Sequence, residues 1–196
     1  MTDDGLSLRA EQRVPGGPRA AAVIAHPHPL YGGDMGNPVV VALFDALAGV
    51  GVATLRFDFR GAGGSEGTFG EGVGERADTV AAIEQLGRAA PDVPMALVGY
   101  SFGADVALGV TDERLAGWFL VAPPLQAPTE VDRDERPKRL VVPAHDQFRP
   151  PDSAQAAVAG WTNTAVEVIE GADHFLAGHL GQAAKRCTAF FDDLLG

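Results

Sequence analysis

One stretch of the sequence, residues 95–108, constrains the fold of the whole chain. It passes from an apolar run of strand composition through the pentapeptide GYSFG at residues 99–103 directly into an apolar helical run. A serine hydroxyl is a poor nucleophile unless a sharp turn holds it exposed beside a base. Such a turn brings the backbone close on both sides of the serine, where only glycine fits. The stretch therefore predicts a nucleophile elbow with Ser101 at its apex.

A second match to the same pattern, GGSEG at residues 63–67, lacks this context. It lies several residues beyond the predicted strand 52–57, and no apolar helix follows it directly. A run of this composition is typical of a surface loop. We therefore take Ser101 rather than Ser65 as the candidate nucleophile.

The length and charge of the chain limit both its architecture and its partners. With 196 residues and 46% hydrophobic content it can build one sizeable core, so we expect a single domain over residues 1–196. The formal net charge of -11, without any cluster of Lys and Arg, argues against nucleic acid or an anionic membrane as a partner. It favours a small neutral or cationic substrate.

We expect a cytoplasmic protein. The single cysteine, Cys187, can form no internal disulfide, and it lies in a helical pattern that favours a buried, unreactive thiol. The first residues, MTDDG, lack the basic and apolar regions of a signal peptide. No apolar run reaches transmembrane length.

Strand and helix patterns alternate along the chain, which is typical of a parallel sheet with helices on both faces. Besides the elbow strand and the elbow helix, the predicted strands are 20–25, 52–57, 118–121, 139–142 and 166–169, with one or two short edge strands in 5–14, and the predicted helices are one that starts at Pro38, 77–89, 154–160 and 182–195. The fold class is therefore α/β, with about six to eight strands. The charged, proline-rich segment 123–138 is the candidate mobile loop and is too short for a cap domain, so we expect an open site.

A G-x-S-x-G elbow on a parallel sheet resembles the α/β-hydrolases, in which an acid and then a histidine follow the serine in the chain. Asp146 follows the predicted strand 139–142, and His174 follows the predicted strand 166–169. Both residues then lie at carboxyl ends of strands, where open parallel sheets place their sites. We predict a triad of Ser101, Asp146 and His174. Competing candidates are two further histidines and a neighbouring acid, namely His145, His179 and Asp173.

The transition state of acyl transfer also needs hydrogen-bond donors for the oxyanion. We expect the backbone N–H of Phe102, which follows the nucleophile, and a second N–H from the loop HPHPLYGG at residues 26–33. Because proline has no N–H, Leu30 is our preferred second donor and Tyr31 the reserve.

Four motifs together resemble the small, capless bacterial α/β-hydrolases of the dienelactone-hydrolase-like group of serine esterases. They are VIAHPHPLYGG at 23–33, LRFDFRGAGGS at 55–65, GYSFG at 99–103 and GADHF at 171–175, so the resemblance extends over nearly the whole chain. The resemblance implies the same triad and an esterase-like activity, and it implies a structural turn braced by Asp58 and Arg60. The dienelactone members proper have cysteine where this chain has Ser101, and Pro143 replaces the usual glycine before the acid.

We therefore expect a hydrolase of small acyl esters that works through an acyl-Ser101 intermediate, with a small ester as its ligand and with no cofactor or metal. His26 and His28, two residues apart, would form a metal pair in a competing interpretation, although no Cys or further His lies nearby to complete a set. Two competing functions are those of a thioesterase or peptidase of the same fold, and of a binding protein that kept the fold without turnover.

Overall fold

The unbroken apolar runs of the sequence form the middle of one sheet. All six residues of β2 (Ala20–Ala25) and all six of β4 (Met95–Tyr100) are buried. Strands of this composition have no polar face to turn to water, so helices must cover both sides. The computed structural model, which describes all 196 residues, has this arrangement.

Seven strands form the sheet, in the order β1-β3-β2-β4-β5-β6-β7. The remaining strands are β1 (Ala10–Arg13), β3 (Val52–Phe57), β5 (Leu115–Val121), β6 (Lys138–His145) and β7 (Thr164–Asp173). β1 pairs antiparallel with β3 at one edge, and every other neighbouring pair is parallel. The predicted α/β class with a mostly parallel sheet is confirmed.

Five helices cover the two faces of the sheet. They are α1 (Pro38–Gly49), α2 (Val73–Ala89), α3 (Phe102–Leu108), α4 (Pro151–Ala157) and α5 (Leu180–Leu195). The buried apolar side chains of α1 and most of those of α5 belong to one apolar cluster, and the buried apolar side chains of α2, α3 and α4 belong to a second cluster on the opposite face. None of the five helices combines the length and the apolar character that crossing a membrane requires.

Several elements extend beyond their predicted bounds. β6 does not end at residue 142 but continues through Pro143, which pairs with Ile169 of β7. α2 begins four residues before the predicted 77, because the Glu75 carboxylate accepts the N–H groups of Gly70 and Gly72 just before the first turn. The glycine-rich composition of this segment is typical of a loop, so the sequence pattern did not predict that the helix begins there.

The strand order places the candidate site at the switch point of the sheet. After β2 the chain moves to β3 on one side, and after β3 it returns to β4 on the other side of β2. The loops that follow β2 and β4 therefore diverge at a crevice, where open α/β sheets bind their ligands. Between β5 and β6 the chain forms no helix, so no cap domain covers this edge.

His26, the first residue after β2, joins two loops at this edge. It is fully buried, its Nδ1–H donates to the carbonyl of Pro27 at 2.6 Å, and its Nε2 accepts the backbone N–H of Phe59 at 2.9 Å. Both ring nitrogens are thus satisfied only in the neutral imidazole. Burial lowers the pKa of His26 below the ordinary 6.5, and the Pro27 carbonyl and Asp58 oppose that shift less strongly.

We expect His26 to make the protein sensitive to acid. Because its pKa is lower in the folded chain, the unfolded chain binds more protons below about pH 6.5, and stability is lost as the pH falls. One such group contributes at most about 1.4 kcal/mol of unfolding free energy for each pH unit. Urea unfolding at pH 7.5 and 5.5 should show a smaller acid loss in His26→Gln, whose amide can make both hydrogen bonds. The exposed His145→Gln is the control, and an equal loss in both variants would contradict the assignment.

Candidate active site

Ser101 occupies a strained turn between β4 and α3. Its backbone has φ 53° and ψ -123°, a conformation that costs a non-glycine residue about 1–3 kcal/mol. A Cβ added to Gly103 would lie 2.5 Å from the carbonyl oxygens of Ala25 and His26, and one added to Gly99 would lie 2.5 Å from the carbonyl of Gly103. The two elbow glycines are therefore required by close backbone approach, as the sequence pattern predicts.

The structure brings the three predicted triad residues into one hydrogen-bonded line. His174 Nε2 lies 2.9 Å from Ser101 Oγ, and His174 Nδ1 lies 2.8 Å from Asp146 Oδ2. Asp146 and His174 are buried, while Ser101 is partly exposed. With a proton on Nδ1 donated to the carboxylate, Nε2 is free to accept the serine proton. The arrangement has the geometry of a serine nucleophile, a base and an orienting acid.

The loops that follow β6 and β7 fix the acid and the base. Asp146 Oδ1, the oxygen that does not face His174, accepts the backbone N–H groups of Phe148 at 2.8 Å and Arg149 at 3.1 Å. Tyr100, directly before the nucleophile, donates its buried hydroxyl to the carbonyl of His174 at 3.0 Å. Burial, followed by the negative charges of Asp146 and Asp173, raises the pKa of Tyr100 and keeps this hydroxyl protonated.

The competing candidates lie outside this line. The side chain of His145 is exposed, and His179 Nδ1–H donates to the nearby carbonyl of Ala177. Asp173 accepts the backbone N–H of Phe175 and shapes the turn before that residue.

Ser65, in the second match to the elbow pattern, is held in a turn by hydrogen bonds to the backbone. Its hydroxyl donates to the Asp58 carbonyl at 2.6 Å and accepts the N–H of Arg9. The buried Asp58 carboxylate accepts two backbone N–H groups, and Arg60 pairs with the buried Asp78 at 2.7 Å. The segment is a braced turn, as the family resemblance implies.

In the loop after β2, the two N–H groups predicted as oxyanion donors are hydrogen-bonded within the loop itself. The N–H of Leu30, our preferred oxyanion donor, donates to His28 Nδ1 at 3.2 Å, and the N–H of Tyr31 donates to the His28 carbonyl. Both groups are used inside a short 3₁₀ turn at Pro29–Tyr31. The N–H of His28 itself has no acceptor within the protein, and neither has that of Phe102. Leu30 and Tyr31 thus remain predictions as oxyanion donors, and in this structure their N–H groups are engaged within the loop.

Sequence reasoning overlooked His28 although a signal was present. In HPHPLYGG the two prolines lack N–H groups, and His28 stands between them with the first N–H of the loop after His26. Its imidazole lies 4.8 Å, ring to ring, from the side chain of Phe102. Burial lowers the pKa of His28, with Glu75 opposing, so Nδ1 stays neutral and accepts from Leu30.

The metal interpretation does not fit these contacts. Both ring nitrogens of His26 and one ring nitrogen of His28 are already hydrogen-bonded to the backbone. No group of three or more His, Cys, Asp or Glu side chains is arranged to hold a metal ion.

Two further residues, both missed in the sequence, anchor the loop after β5. The buried Asp105 of α3 accepts the N–H groups of residues 125–127 at 2.8, 2.9 and 3.4 Å. Arg149 donates to the carbonyls of Pro124 at 2.7 Å and Leu125 at 3.2 Å. The loop predicted to be mobile is thus tied to the elbow helix from one side and to the acid loop from the other.

Comparisons with known proteins identify a family for this chain. Residues 19–176 match the family described as serine aminopeptidase, S33. An uncharacterized protein of Rickettsia prowazekii is 33% identical over 168 residues, covering 79% of this chain and 71% of that protein.

Solved structures of bacterial serine hydrolases have the same fold. An α/β serine hydrolase homologue from Coxiella burnetii has a TM-score of 0.85 at 30% identity, with 96% of this chain and 97% of that chain covered. An α/β serine hydrolase without a lid, from Xanthomonas campestris, has a TM-score of 0.82 at 25% identity, with 96% and 91% covered. Because the family match spans most of the sequence, the chain belongs to the serine aminopeptidase S33 family, among the capless α/β serine hydrolases.

Proposed function

We propose that the protein is a carboxylic ester hydrolase that works through an acyl-Ser101 intermediate. The observation that carries this proposal is the hydrogen-bonded line from Ser101 through His174 to Asp146, at 2.9 and 2.8 Å. A strained, partly exposed serine beside an imidazole that a buried carboxylate orients is the arrangement that acyl transfer requires.

In the first half of the reaction, Ser101 Oγ attacks the ester carbonyl carbon while His174 Nε2 takes its proton. Asp146 holds the imidazole in the required tautomer and stabilises its positive charge. The tetrahedral intermediate then collapses, the bond to the alcohol oxygen breaks, and His174 gives its proton to that oxygen. The alcohol leaves, and the acyl group remains as an ester of Ser101.

The negative oxygen of the intermediate needs two donors, and we assign them to the N–H groups of Phe102 and His28. Their lack of internal acceptors and the contact between the two side-chain rings support this pair. One such donor contributes about 10² to 10³ in rate.

In the second half, water replaces the alcohol. His174 takes a proton from the water, whose oxygen attacks the acyl carbon at the same oxyanion donors, and Ser101 is released with that proton. All catalytic groups in both steps belong to the chain itself.

We expect the substrate to be a small, soluble ester because no cap extends the part of the site that would enclose the acyl chain. A cap would supply apolar wall, and each methylene buried against it is worth about 0.8 kcal/mol. Here the loop after β5 is fixed by Asp105 and Arg149 and forms no helix. Only the first carbons of an acyl chain can then be enclosed.

A series of p-nitrophenyl esters tests this function. We expect kcat/KM to stop rising, or to fall, beyond roughly four to six acyl carbons, because further methylenes remain in water. A continued rise through long chains would indicate an apolar tunnel and a lipase or acyl-thioesterase. Faster turnover of acyl thioesters, or of aminoacyl p-nitroanilides as the family description suggests, would replace the ester assignment.

Two arginine variants test whether the loop after β5 sets the limit on acyl chain length. Arg149→Met removes the guanidinium that fixes the loop after β5 and should move the chain-length limit. Arg136→Met is the matched control, because Arg136 also donates to two backbone carbonyls, of Asp112 and Leu115, but at the amino end of β5. The Arg136→Met variant should keep the same limiting acyl chain length, and it should have a lower free energy of unfolding.

A further inference from the structure

The exposed aromatic side chains of the protein all lie at the candidate active site. The chain has ten phenylalanines, two tyrosines and two tryptophans. Only Tyr31, Phe175 and Phe148 are exposed, at 87%, 61% and 54% respectively. Large aromatic side chains gain free energy by leaving water, so their exposure at one place indicates a surface that a ligand covers.

Two of these rings flank the base. The Phe148 ring lies 4.5 Å from the His174 ring in an edge-on arrangement, and the Phe175 ring lies 5.6 Å from it, also edge-on. Tyr31 instead packs on His28 at 4.8 Å, on the oxyanion side of the site. The aromatic surface is thus divided between the two sides of the reacting carbonyl.

The chemistry determines which part of an ester meets Phe148 and Phe175. His174 Nε2 must reach the oxygen of the departing alcohol to protonate it, so the alcohol part lies beside the imidazole. The exposed rings on that imidazole therefore border the alcohol part of the ester.

The charge on this side disfavours an anionic alcohol part. In residues 146–150 and 174–178 the only cation is Arg149. Its guanidinium is engaged by the carbonyls of Pro124 and Leu125 and by the Ser153 hydroxyl. No free cation is left there to pair with a carboxylate or phosphate.

We propose that the site selects esters whose alcohol part carries an uncharged aromatic ring, which packs against Phe148 and Phe175. This inference rests on the proposed ester hydrolysis and adds the class of leaving group. An aromatic pair is worth enough beyond its area to change a rate constant by roughly threefold to tenfold.

Benzyl acetate and cyclohexylmethyl acetate provide the test. The two esters share one acyl group and have unactivated alcohols of similar size, so the ratio of their kcat/KM values, divided by the ratio of their rates of alkaline hydrolysis, reports on the ring. We expect benzyl acetate to be favoured about threefold to tenfold. The same acyl-enzyme forms from both, so benzyl alcohol added as a competing nucleophile should also capture it more efficiently than cyclohexylmethanol.

Substitutions test which aromatic side chains cause the preference for benzyl acetate. Phe148→Leu with Phe175→Leu keeps apolar bulk but removes both rings, and the ratio should fall close to one. Tyr31→Leu is the matched control, an equally drastic loss of an exposed ring on the other side, and it should retain the ratio. The capture experiment with the unmodified enzyme needs no substitution and tests the preference even where the double variant folds poorly.

The outcomes separate the two proposals. Ester turnover with a ratio near one, or a ratio that survives the double substitution, would overturn the inference about the alcohol and leave the hydrolase assignment intact. A ratio lost in Tyr31→Leu would overturn the placement beside His174. Absence of turnover with every ester would overturn both proposals.

Discussion

Ser101→Ala is expected to lower kcat for ester hydrolysis by about 10⁶ and to abolish labelling by a fluorophosphonate probe. The reason is that the acyl-enzyme cannot form without Oγ, and the residual rate then depends on the oxyanion donors and on binding alone. Circular dichroism should be unchanged, because alanine removes only the hydroxyl from a turn whose glycines determine its shape.

Ser65→Ala is the matched control for the nucleophile. This serine lies in the same G-x-S-x-G pattern, but its hydroxyl is bound to the Asp58 carbonyl, so labelling and turnover should persist. Labelling that survives in Ser101→Ala and disappears in Ser65→Ala would reverse the assignment.

The loss should also be non-additive. Ser101 and His174 act in a single proton transfer across the 2.9 Å contact between them, so removing either one removes the step. We expect the double variant with His174→Ala to be little slower than either single variant. A second loss of several orders of magnitude in the double variant would mean that the two residues act independently.

The parts of this structure that follow from local pattern were predictable. β2 and β4 are unbroken apolar runs, and such runs in a βαβ rhythm admit little besides a buried parallel sheet. The elbow was recognisable because Gly99 and Gly103 are required by close backbone approach on both sides of Ser101. Asp146 and His174 could be selected because each directly follows a strand, and strand ends of one sheet meet at one edge.

The parts that depend on contacts between distant segments were not predictable. The anchoring of the loop after β5 joins Asp105 to residues 125–127, twenty or more positions away, and nothing in either segment indicates the other. The same is true of the Tyr100 hydroxyl, whose acceptor is the carbonyl of His174. The free N–H of His28 depends on a 3₁₀ turn that uses the N–H of Leu30, and elimination by proline alone could not reveal that turn.

Asp146→Asn is expected to lower kcat by about 10⁴ while the fold is retained. The carboxylate has two separate tasks in this structure. Oδ2 accepts the Nδ1–H of His174, and Oδ1 accepts the N–H groups of Phe148 and Arg149. An asparagine whose oxygen keeps the two backbone bonds must present its NH₂ to His174, which stabilises the tautomer with the proton on Nε2. That proton occupies the position to which Ser101 must deliver its own.

Asp173→Asn is the matched control, because this acid directly precedes the base in the chain but only accepts the N–H of Phe175. It should keep kcat within about tenfold, since its loss affects a single exposed turn bond. The tautomer of His174 in both variants can be read from the ¹⁵N shifts of its imidazole, and only Asp146→Asn should move the proton to Nε2. Near-normal turnover in Asp146→Asn, together with a collapse in Asp173→Asn, would transfer the acid role to Asp173.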